Sequence, residues 1–417
     1  MSPVRILLLS YCFPPVPLIE AQVAAKVSGH LGASVDVIAA EAGLWRLPPD
    51  HSLDPYVEQA FGSVERVGRR GVPTLLRAQG RVPFVSQRPD ALTFLNRRVL
   101  AKLRGRRLDD YDLLVTRGQF HSIHLVPLRL RRRPPWVAHF SDPWVGNPSR
   151  GDTALVRRIN ERREARVVEA ADRLVFTSAT AAEFTVAPYP ESVRAKTRHV
   201  PHCFMPELFE REPAAAAAAA AAGRSDPRLL ARHVGNLRWN RHPDPLFRAL
   251  LELERTRPGA FAELRVDLLG LIGQQMLETE AARALPAGLV EVSAPVDYRS
   301  SLLAMRDSDL LLVTESEARR SVDLHAKIVD YTGAGVPIVG IVPPGPTAEL
   351  IAALGGWHGH PGRPQEGARA LQAGIEEARW RRGRPELWGD ATVRARYSAE
   401  TVGNELAQIY REAAAVD

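Results

Sequence analysis

Lys327 and Asp330 are the pair of side chains whose types and spacing most directly indicate chemistry. On a helix, residues three apart share one face. A lysine there could neutralise phosphate oxygens, and a carboxylate one turn further on could accept hydrogen bonds from ribose hydroxyls. The pair therefore predicts either a nucleotide site or a surface ion pair, which would contribute roughly a few tenths of a kcal/mol.

Residues 310–341 must position this pair. Apolar runs at 310–313 and 336–341 have the length and composition of strands. Between them, residues 323–331 have the size of a short helix, and Gly333 and Gly335 supply the backbone freedom that ends it. In such a unit the helix begins at the carboxyl end of the sheet, where unpaired N–H groups and the helix dipole attract anions. The segment therefore predicts an anion site.

Strands alternate with helical stretches on both sides of an alanine run at 214–222. In the first half we predict strands at 4–9, 34–39, 113–116, 136–140 and 173–177, with helices at 20–31 and 154–171. In the second half we predict strands at 231–237, 265–271, 290–294, 310–314 and 336–341. This alternation is typical of parallel, doubly wound sheets. Residues 41–92 show no clear period and are interpreted as an insertion made of loops.

Length and composition indicate a globular protein of two domains. The chain has 417 residues, 45% of them hydrophobic and 25% charged, which is enough to bury two cores. Cys12 and Cys203 are too few for a disulfide framework or a zinc site, so a cytoplasmic setting is the default expectation. The apolar stretch at the N-terminus is too short for a membrane span and predicts the first buried strand.

The sequence around Lys327 resembles the donor-site segment of GT-B glycosyltransferases. HAKIVDY at 325–331, followed by GAGVPI at 333–338, is similar to the P-S-K-x-x-[DE]-Y-x-x-x-G-x-P pattern of family 4-like members. Further similar segments follow the family's order: SYCFPP at 10–15, SDPW at 141–144, VPHCFMPELF at 200–209 and VGNL at 234–237.

The resemblance implies an α/β protein of the GT-B fold. Two Rossmann-like domains with doubly wound parallel sheets would face an interdomain cleft, and a C-terminal helix would cross back to the first domain. We place the acceptor-side domain at 1–210 and an alanine-rich linker at 211–229. The nucleotide-sugar domain then covers 230–390, and the returning helix lies within 391–417.

The resemblance also implies transfer of a hexosyl or deoxyhexosyl group from a UDP-, GDP- or dTDP-sugar to an acceptor hydroxyl. Anomeric configuration would be retained, and neither a metal nor another cofactor would take part. The leaving diphosphate would be stabilised by Arg238, Arg241 and Lys327, and by a helix start that carries Asp323 and His325. Without the resemblance, the two arginines are equally consistent with an exposed turn.

Other residues are assigned to the donor through the resemblance. Asn236 stands where many relatives carry an arginine. Asp330 would bind the ribose. The backbone around Gly273 and Val296 would contact the base, which leaves the identity of the base open.

On the acceptor side, the resemblance makes Asp142 the candidate for orienting or deprotonating the acceptor hydroxyl, or for holding a donor-sugar hydroxyl. A turn aspartate before Pro143 is an equal alternative. Pro15, His121 and His139 are further acceptor-side candidates. Polysaccharide, lipid-linked and small-molecule acceptors all remain open.

One departure from the family pattern keeps other functions open. Relatives with an E-x7-E pattern would have an acid at position 322, but this chain has Val322. Neither Glu315 nor Glu317 can be given that role from the sequence. A catalytically silent partner protein therefore stands beside the transferase. A sugar-nucleotide epimerase of the same fold is a further alternative, which does not depend on this departure.

The net charge of +7 comes from arginines that cluster at 104–107, 129–133 and 157–166. These clusters predict either a solvated surface or peripheral contact with an anionic membrane, which would place the protein at the inner face of that membrane. Nucleic acid is not expected, because no recognition motif with aromatic stacking positions accompanies the charge.

Overall fold

The computed structural model of the protein describes residues 4–70, 87–147, 152–211, 226–238 and 241–415. The chain divides into two compact units. The first unit comprises Met1–Cys203 and Ala399–Asp417, and the second unit comprises Phe204–Ser398. The alanine run at 214–222 lies outside the described residues.

The first unit contains a seven-stranded parallel sheet in the order β3-β2-β1-β4-β5-β6-β7. Its strands are β1 Arg5–Leu9, β2 Ser34–Ala40, β3 Ser63–Val67, β4 Leu113–Gly118, β5 Trp136–Phe140, β6 Arg173–Phe176 and β7 Thr197–His199. Its helices, numbered among those described, are α1 Ile19–Ser28, α2 Asp54–Ala60, α3 Asn96–Arg104, α4 Ala154–Ala170, α5 Ala179–Val186, α6 Glu191–Ala195 and α14 Ala399–Ala414. The strand order reverses between β1 and β4, and parallel sheets of this kind bind ligands at the carboxyl ends of the strands beside such a reversal.

Apolar strand residues explain why this sheet forms. The β1 sequence RILLL is buried after its first residue, as expected for a strand covered on both faces. Leu7 and Leu9 pack in one core cluster with Leu95 and Val99, which lie next to and within α3. The last helix, α14, closes the unit by packing on α1, β4 and β5.

The second unit contains a six-stranded parallel sheet in the order β10-β9-β8-β11-β12-β13. Its strands are β8 Leu229–Val234, β9 Leu264–Leu269, β10 Val290–Ser293, β11 Leu310–Thr314, β12 Ile338–Ile341 and β13 Trp357–Gly359. Its helices are α7 Asp244–Thr256, α8 Glu280–Ala284, α9 Tyr298–Arg306, α10 Ala326–Ala334, α11 Pro346–Ala353, α12 Pro364–Arg381 and α13 Ala391–Arg396. The fold class predicted from the sequence, parallel-sheet α/β in two parts, is confirmed.

The structure corrects the prediction for residues 41–92. Among their described residues, this stretch is not only loops, because it contributes α2 and β3, and β3 pairs in parallel with β2. β3 is mostly half-buried, so it lacks the apolar run by which a buried strand is found. The edge strands β7 and β13, three residues each, were missed for the same reason.

The helix that carries Lys327 begins later than predicted. α10 starts at Ala326 with His325 at the N-cap, so Asp323 lies in the preceding loop and not at the helix start. Gly333 lies inside the helix, where a Cβ would meet the rings of Phe204 and Phe209 at 2.7 Å. Gly335 alone ends the helix, in the left-handed conformation with φ of 64°.

No helix in the described ranges combines the length and the apolar character that crossing a membrane requires.

Candidate functional site

Lys327 lies in the first turn of α10, beside the carboxyl end of β8. Its Nζ is 2.9 Å from Nε2 of His233, a buried residue of β8. Nδ1 of His233 is 3.0 Å from the carbonyl oxygen of Leu312. Because that oxygen can only accept, Nδ1 carries the ring proton and Nε2 accepts from the lysine. Burial and the charge of Lys327 lower the pKa of His233 well below its ordinary value, so the ring is neutral.

Gly235, the first residue after β8, brings the main chain close to the same ammonium group. It has a φ of +122°, and a Cβ there would lie 3.1 Å from Nζ of Lys327. Gly270, with a φ of +147°, packs against Gly235 so closely that its own Cβ would lie 2.7 Å from the Gly235 carbonyl. Both positions therefore require glycine, and a main-chain turn without side chains borders the lysine.

Arg241, His325 and Glu315 form a second polar chain in this unit. Nη2 of Arg241 lies 2.6 Å from Nδ1 of His325, and Nε2 of His325 lies 2.9 Å from Oε1 of Glu315. Because an arginine can only donate, Nδ1 of His325 accepts and the ring proton is on Nε2, facing the carboxylate. The buried histidine thus connects a cation to an anion at the N-cap of α10.

Charge and burial set the ionisation of this cluster. Burial and the charge of Arg241 lower the pKa of Lys327 well below its ordinary value, although Glu315 acts in the opposite direction. Burial also lowers the pKa of His325. Burial alone would raise the pKa of Glu315, but the neighbouring His325 and Arg241 outweigh it and lower the pKa. The cluster therefore combines a neutral histidine, a carboxylate, the guanidinium group of Arg241 and the amine of Lys327, and an added anion would favour the charged form of that amine.

Asp330 lies one turn beyond Lys327 and is 1% exposed. Its Oδ1 accepts a hydrogen bond of 3.0 Å from the hydroxyl of Tyr298, the first residue of α9. The next residue, Tyr331, accepts at its hydroxyl from the N–H of Val234 at 2.7 Å. These two tyrosines fix α10 to α9 and to the end of β8.

The other predicted donor residues lie on the loops around these strand ends. Oδ1 of Asn236 accepts from the N–H of Leu271 at 2.8 Å, which ties the loop after β8 to the loop after β9. Arg238 is exposed, and its carbonyl accepts from the N–H of Arg241 at 2.9 Å. The remaining three are half-buried Asp323 before α10, Gly273 after β9, and Val296 after β10, where it is 48% exposed.

Two polar residues of this cluster were not assigned from the sequence. Glu315 directly follows β11, and His233 is the last but one residue of β8. The available signal was position, since polar residues at the carboxyl ends of parallel strands face the ligand-binding edge. Position 322 holds the buried Val322, and the carboxylate of this cluster is that of Glu315, next to His325.

Asp142 of the first unit follows β5 and is held through its neighbour Ser141. The Ser141 hydroxyl donates to Oε1 of Glu20, which lies in the first turn of α1. The Nε of the buried Arg117 lies 3.4 Å from the same Oε1. Burial raises the pKa of Glu20 despite Arg117 and Ser141, and the charge of Asp142 raises it further. Glu20 and Arg117 were both missed from the sequence, because α1 and β4 are far apart along the chain.

His139, His121 and Pro15 also belong to the first unit. His139 is buried in β5 with both ring nitrogens 2.9 Å from Nη1 of Arg117. His121 is buried and stacks on Trp144 with ring centroids 5.2 Å apart. Pro15 is half-buried, and its carbonyl accepts from the N–H of Asp50 at 2.9 Å.

The loop that follows Asp142 is anchored on a buried carboxyl group of α4. Glu164 accepts from the N–H of Val145 and from the hydroxyl of Tyr189, each at 3.0 Å. Burial outweighs these two hydrogen bonds and raises the pKa of Glu164 to about 7. The anchor therefore titrates near neutral pH.

Within the described part of the chain, no group of three or more His, Cys, Asp or Glu residues is arranged to hold a metal ion.

The fold is shared with glycosyltransferases of known structure. HepE of Anabaena, solved with UDP and glucose, is 16% identical, with a TM-score of 0.65 over 98% of this chain and 100% of that one. Sucrose-phosphate synthase of Thermosynechococcus elongatus is 15% identical, with a TM-score of 0.66 over 98% of each chain. The α,α-trehalose 6-phosphate synthase of Burkholderia multivorans is 14% identical, with a TM-score of 0.61 over 100% of this chain and 99% of that one.

No protein-family profile and no curated protein sequence matches the chain. The GT-B fold that the sequence resemblance implied is confirmed by these structures.

Proposed function

We propose that the chain is a glycosyltransferase that moves a sugar from a nucleoside-diphosphate sugar, bound by the second unit, to an acceptor hydroxyl. The observation that carries the proposal is the convergence of Lys327 and Arg241 at the start of α10, beside Gly235. The fold adds support, because structures that share it were solved with UDP and UDP-glucose.

The chemistry fits this arrangement. Breaking the bond between the anomeric carbon and the diphosphate leaves negative charge on the departing phosphate. Lys327, Arg241 and the N–H groups of the first turn of α10 would stabilise that charge. Each charge-assisted hydrogen bond contributes roughly 1.5–3 kcal/mol. Asp330, oriented by Tyr298, would accept hydrogen bonds from the ribose.

The proposal includes the finer expectations drawn from the sequence. Transfer would retain the anomeric configuration and need no metal, the donor would be a UDP-, GDP- or dTDP-hexose or deoxyhexose, and Arg238 would reach the diphosphate from its exposed loop. In the first unit, Asp142 would orient or deprotonate the acceptor hydroxyl. The hydrogen bond between Ser141 and Glu20 supports that role, because it fixes the residue next to Asp142.

Thermal unfolding in the presence of UDP, GDP, dTDP and ADP, with EDTA added, tests the donor site. One nucleotide should raise the unfolding temperature, since a ligand at a hundred times its Kd adds about 2.7 kcal/mol of stability. Lys327→Ala should abolish the shift. Lys102→Ala is the control, because Lys102 belongs to an ion pair with Glu65 in the first unit. No shift with any nucleotide would favour the catalytically silent protein.

Incubation with the matching nucleotide sugar then separates transfer from epimerisation. A transferase should release the nucleoside diphosphate only when a suitable acceptor is added, apart from slow hydrolysis. Conversion of the sugar nucleotide into an epimer without any acceptor, seen by NMR, would replace the transferase proposal with the epimerase.

A further inference from the structure

The exposed side of α4 carries a row of arginines, beside which Glu161 and Glu169 are also exposed. Leu155, Arg158, Arg162 and Arg166 are separated by three, four and four residues, so they share one face of the helix. All four are exposed, and Leu155 is 57% exposed. The opposite face is buried in the first unit through residues that include Val156 and Val167. The helix therefore keeps its position in the core while it presents arginines outward.

Like charges crowd the flank of this row. Burial lowers the pKa of the Arg163 guanidinium group, and the charges of Arg88, Arg129 and Arg166 lower it further. Nη1 of Arg163 donates to the carbonyl of Arg88 at 2.5 Å, so the side chain is held among these neighbours.

The opposing charge near Arg163 is Asp90. Its carboxylate already accepts from the N–H and hydroxyl of Ser122 at 2.8 and 2.7 Å, and from the N–H of Leu92 at 2.9 Å. The positive charges of Arg88, Arg129 and Arg166 around Arg163 outnumber this committed carboxylate, so an extended anion would relieve their repulsion.

We infer that this surface docks on an anionic phospholipid bilayer. The surface, termed the arginine face, consists of Arg88, Arg129, Leu155, Arg158, Arg162, Arg163 and Arg166.

A bilayer fits the arginine face better than a nucleic acid does. Sequence-tolerant nucleic-acid surfaces combine positive charge with exposed aromatic rings on which bases stack. On the arginine face the exposed apolar group is the aliphatic Leu155, and the aromatic residues before α4, such as Trp144, are buried. An aliphatic side chain at the end of a basic stripe can enter the boundary between headgroups and acyl chains. The rest of the contact is electrostatic, with about 1 kcal/mol from each arginine near the surface.

Co-sedimentation of the full-length protein with vesicles tests this inference independently of any sugar chemistry. The protein should sediment with vesicles of equal parts phosphatidylglycerol and phosphatidylcholine at low salt, and should be released at high salt or from pure phosphatidylcholine. The double substitution Arg162→Gln/Arg166→Gln should weaken the binding roughly thirty-fold, the loss expected for two such contacts.

The matched control is Arg369→Gln/Arg411→Gln. It removes the same charge from exposed positions of α12 and α14 and should leave vesicle binding unchanged. The inference is overturned if the wild-type protein stays in the supernatant, or if the two double variants bind alike. Tighter binding to a duplex oligonucleotide than to the anionic vesicles, at the same salt, would also overturn it. The nucleotide-induced thermal shift should persist in both double variants, so failure here leaves the proposed donor site untouched.

Discussion

The ammonium nitrogen of Lys327 lies 2.9 Å from Nε2 of His233. The partner is a neutral ring whose other nitrogen is committed to the carbonyl of Leu312. A neutral acceptor fixes the position of the lysine without cancelling its charge, unlike a carboxylate. The lysine is thus positioned for a stronger acceptor such as a phosphate oxygen.

Nucleoside-diphosphate affinity should fall as the pH rises, at pH values where an ordinary lysine is still fully charged. Burial and Arg241 lower the pKa of Lys327, so the free protein loses this proton early, while a bound diphosphate favours the charged form. Binding should therefore take up protons. Titration calorimetry between about pH 6 and about pH 9, in buffers of different ionisation enthalpy, measures both effects.

Lys327→Arg is the control for this pH dependence. A guanidinium group stays protonated over the whole range, so the variant should bind with an affinity that depends little on pH. An equal pH dependence in the variant would show that another group is responsible.

Gly235→Ala should displace Lys327 and weaken nucleotide binding at least roughly ten-fold, a loss of about 1.4 kcal/mol. The new Cβ would lie 3.1 Å from Nζ, in a backbone conformation that side chains rarely adopt. Gly259→Ala is the matched control, because Gly259 has a φ of +93° with nothing within 4 Å of the added Cβ. Both variants should lose a similar amount of stability in thermal unfolding. Equal nucleotide affinity in the two variants would contradict the close approach of Gly235 to Lys327.

Glu315→Gln should destabilise the protein at neutral pH and have little effect in acid. The pKa of Glu315 is lowered in the folded protein, so its ionised form contributes stability above the unfolded pKa of about 4.3, and this is lost as the pH falls through the folded pKa. We expect the substitution to lower the free energy of unfolding by roughly 1–3 kcal/mol at pH 7. Urea unfolding at several pH values measures it. Glu317→Gln, at the exposed acid two residues later, should show no such trend.

The Glu164 anchor should make stability depend on pH in the opposite sense. Its folded pKa of about 7 exceeds the unfolded value, so the stabilisation present in acid is lost as the pH rises from about 4 to about 7. The loss should be of the order of 1–3 kcal/mol. The free energy of unfolding of the Glu164→Gln variant should lack this dependence on pH. The stability of the variant relative to the wild-type protein should therefore rise with pH. Glu161→Gln, exposed on the same helix, should keep the wild-type slope.

The buried strands were predictable from the sequence because a short run of apolar residues is typical of a strand that is buried on both faces. β5 and β11 have the predicted bounds, and each of the other predicted strands differs from its observed bounds by one to three residues at one or both ends. Short or half-exposed edge strands such as β3 carry no such pattern. Such strands form because they pair with a neighbouring strand, and the local sequence does not show which segment that neighbour is.

Within the site, the sequence indicated the residues of one local segment but not their distant partners. Lys327 and Asp330 lie on one helix, so their spacing alone could suggest a face. His233 lies 94 residues from Lys327 and is brought to it only by the parallel pairing of β8 with β11. Glu315 and Glu20 depend on tertiary contacts in the same way. The roles of the predicted site residues stay predictions that the variants above test.

The division of the chain into units reverses the order in which they can be completed during synthesis. The ends of the second unit are joined, since Phe204 pairs with Ser398 and its N–H donates to the carbonyl of Tyr397 at 2.9 Å. The first unit, however, includes α14, whose Leu406 and Tyr410 are buried. The part of the protein that is translated first therefore lacks a piece of its own core until α14 has been made. A released chain truncated after Ser398 should therefore contain a complete second unit and an unfinished first one.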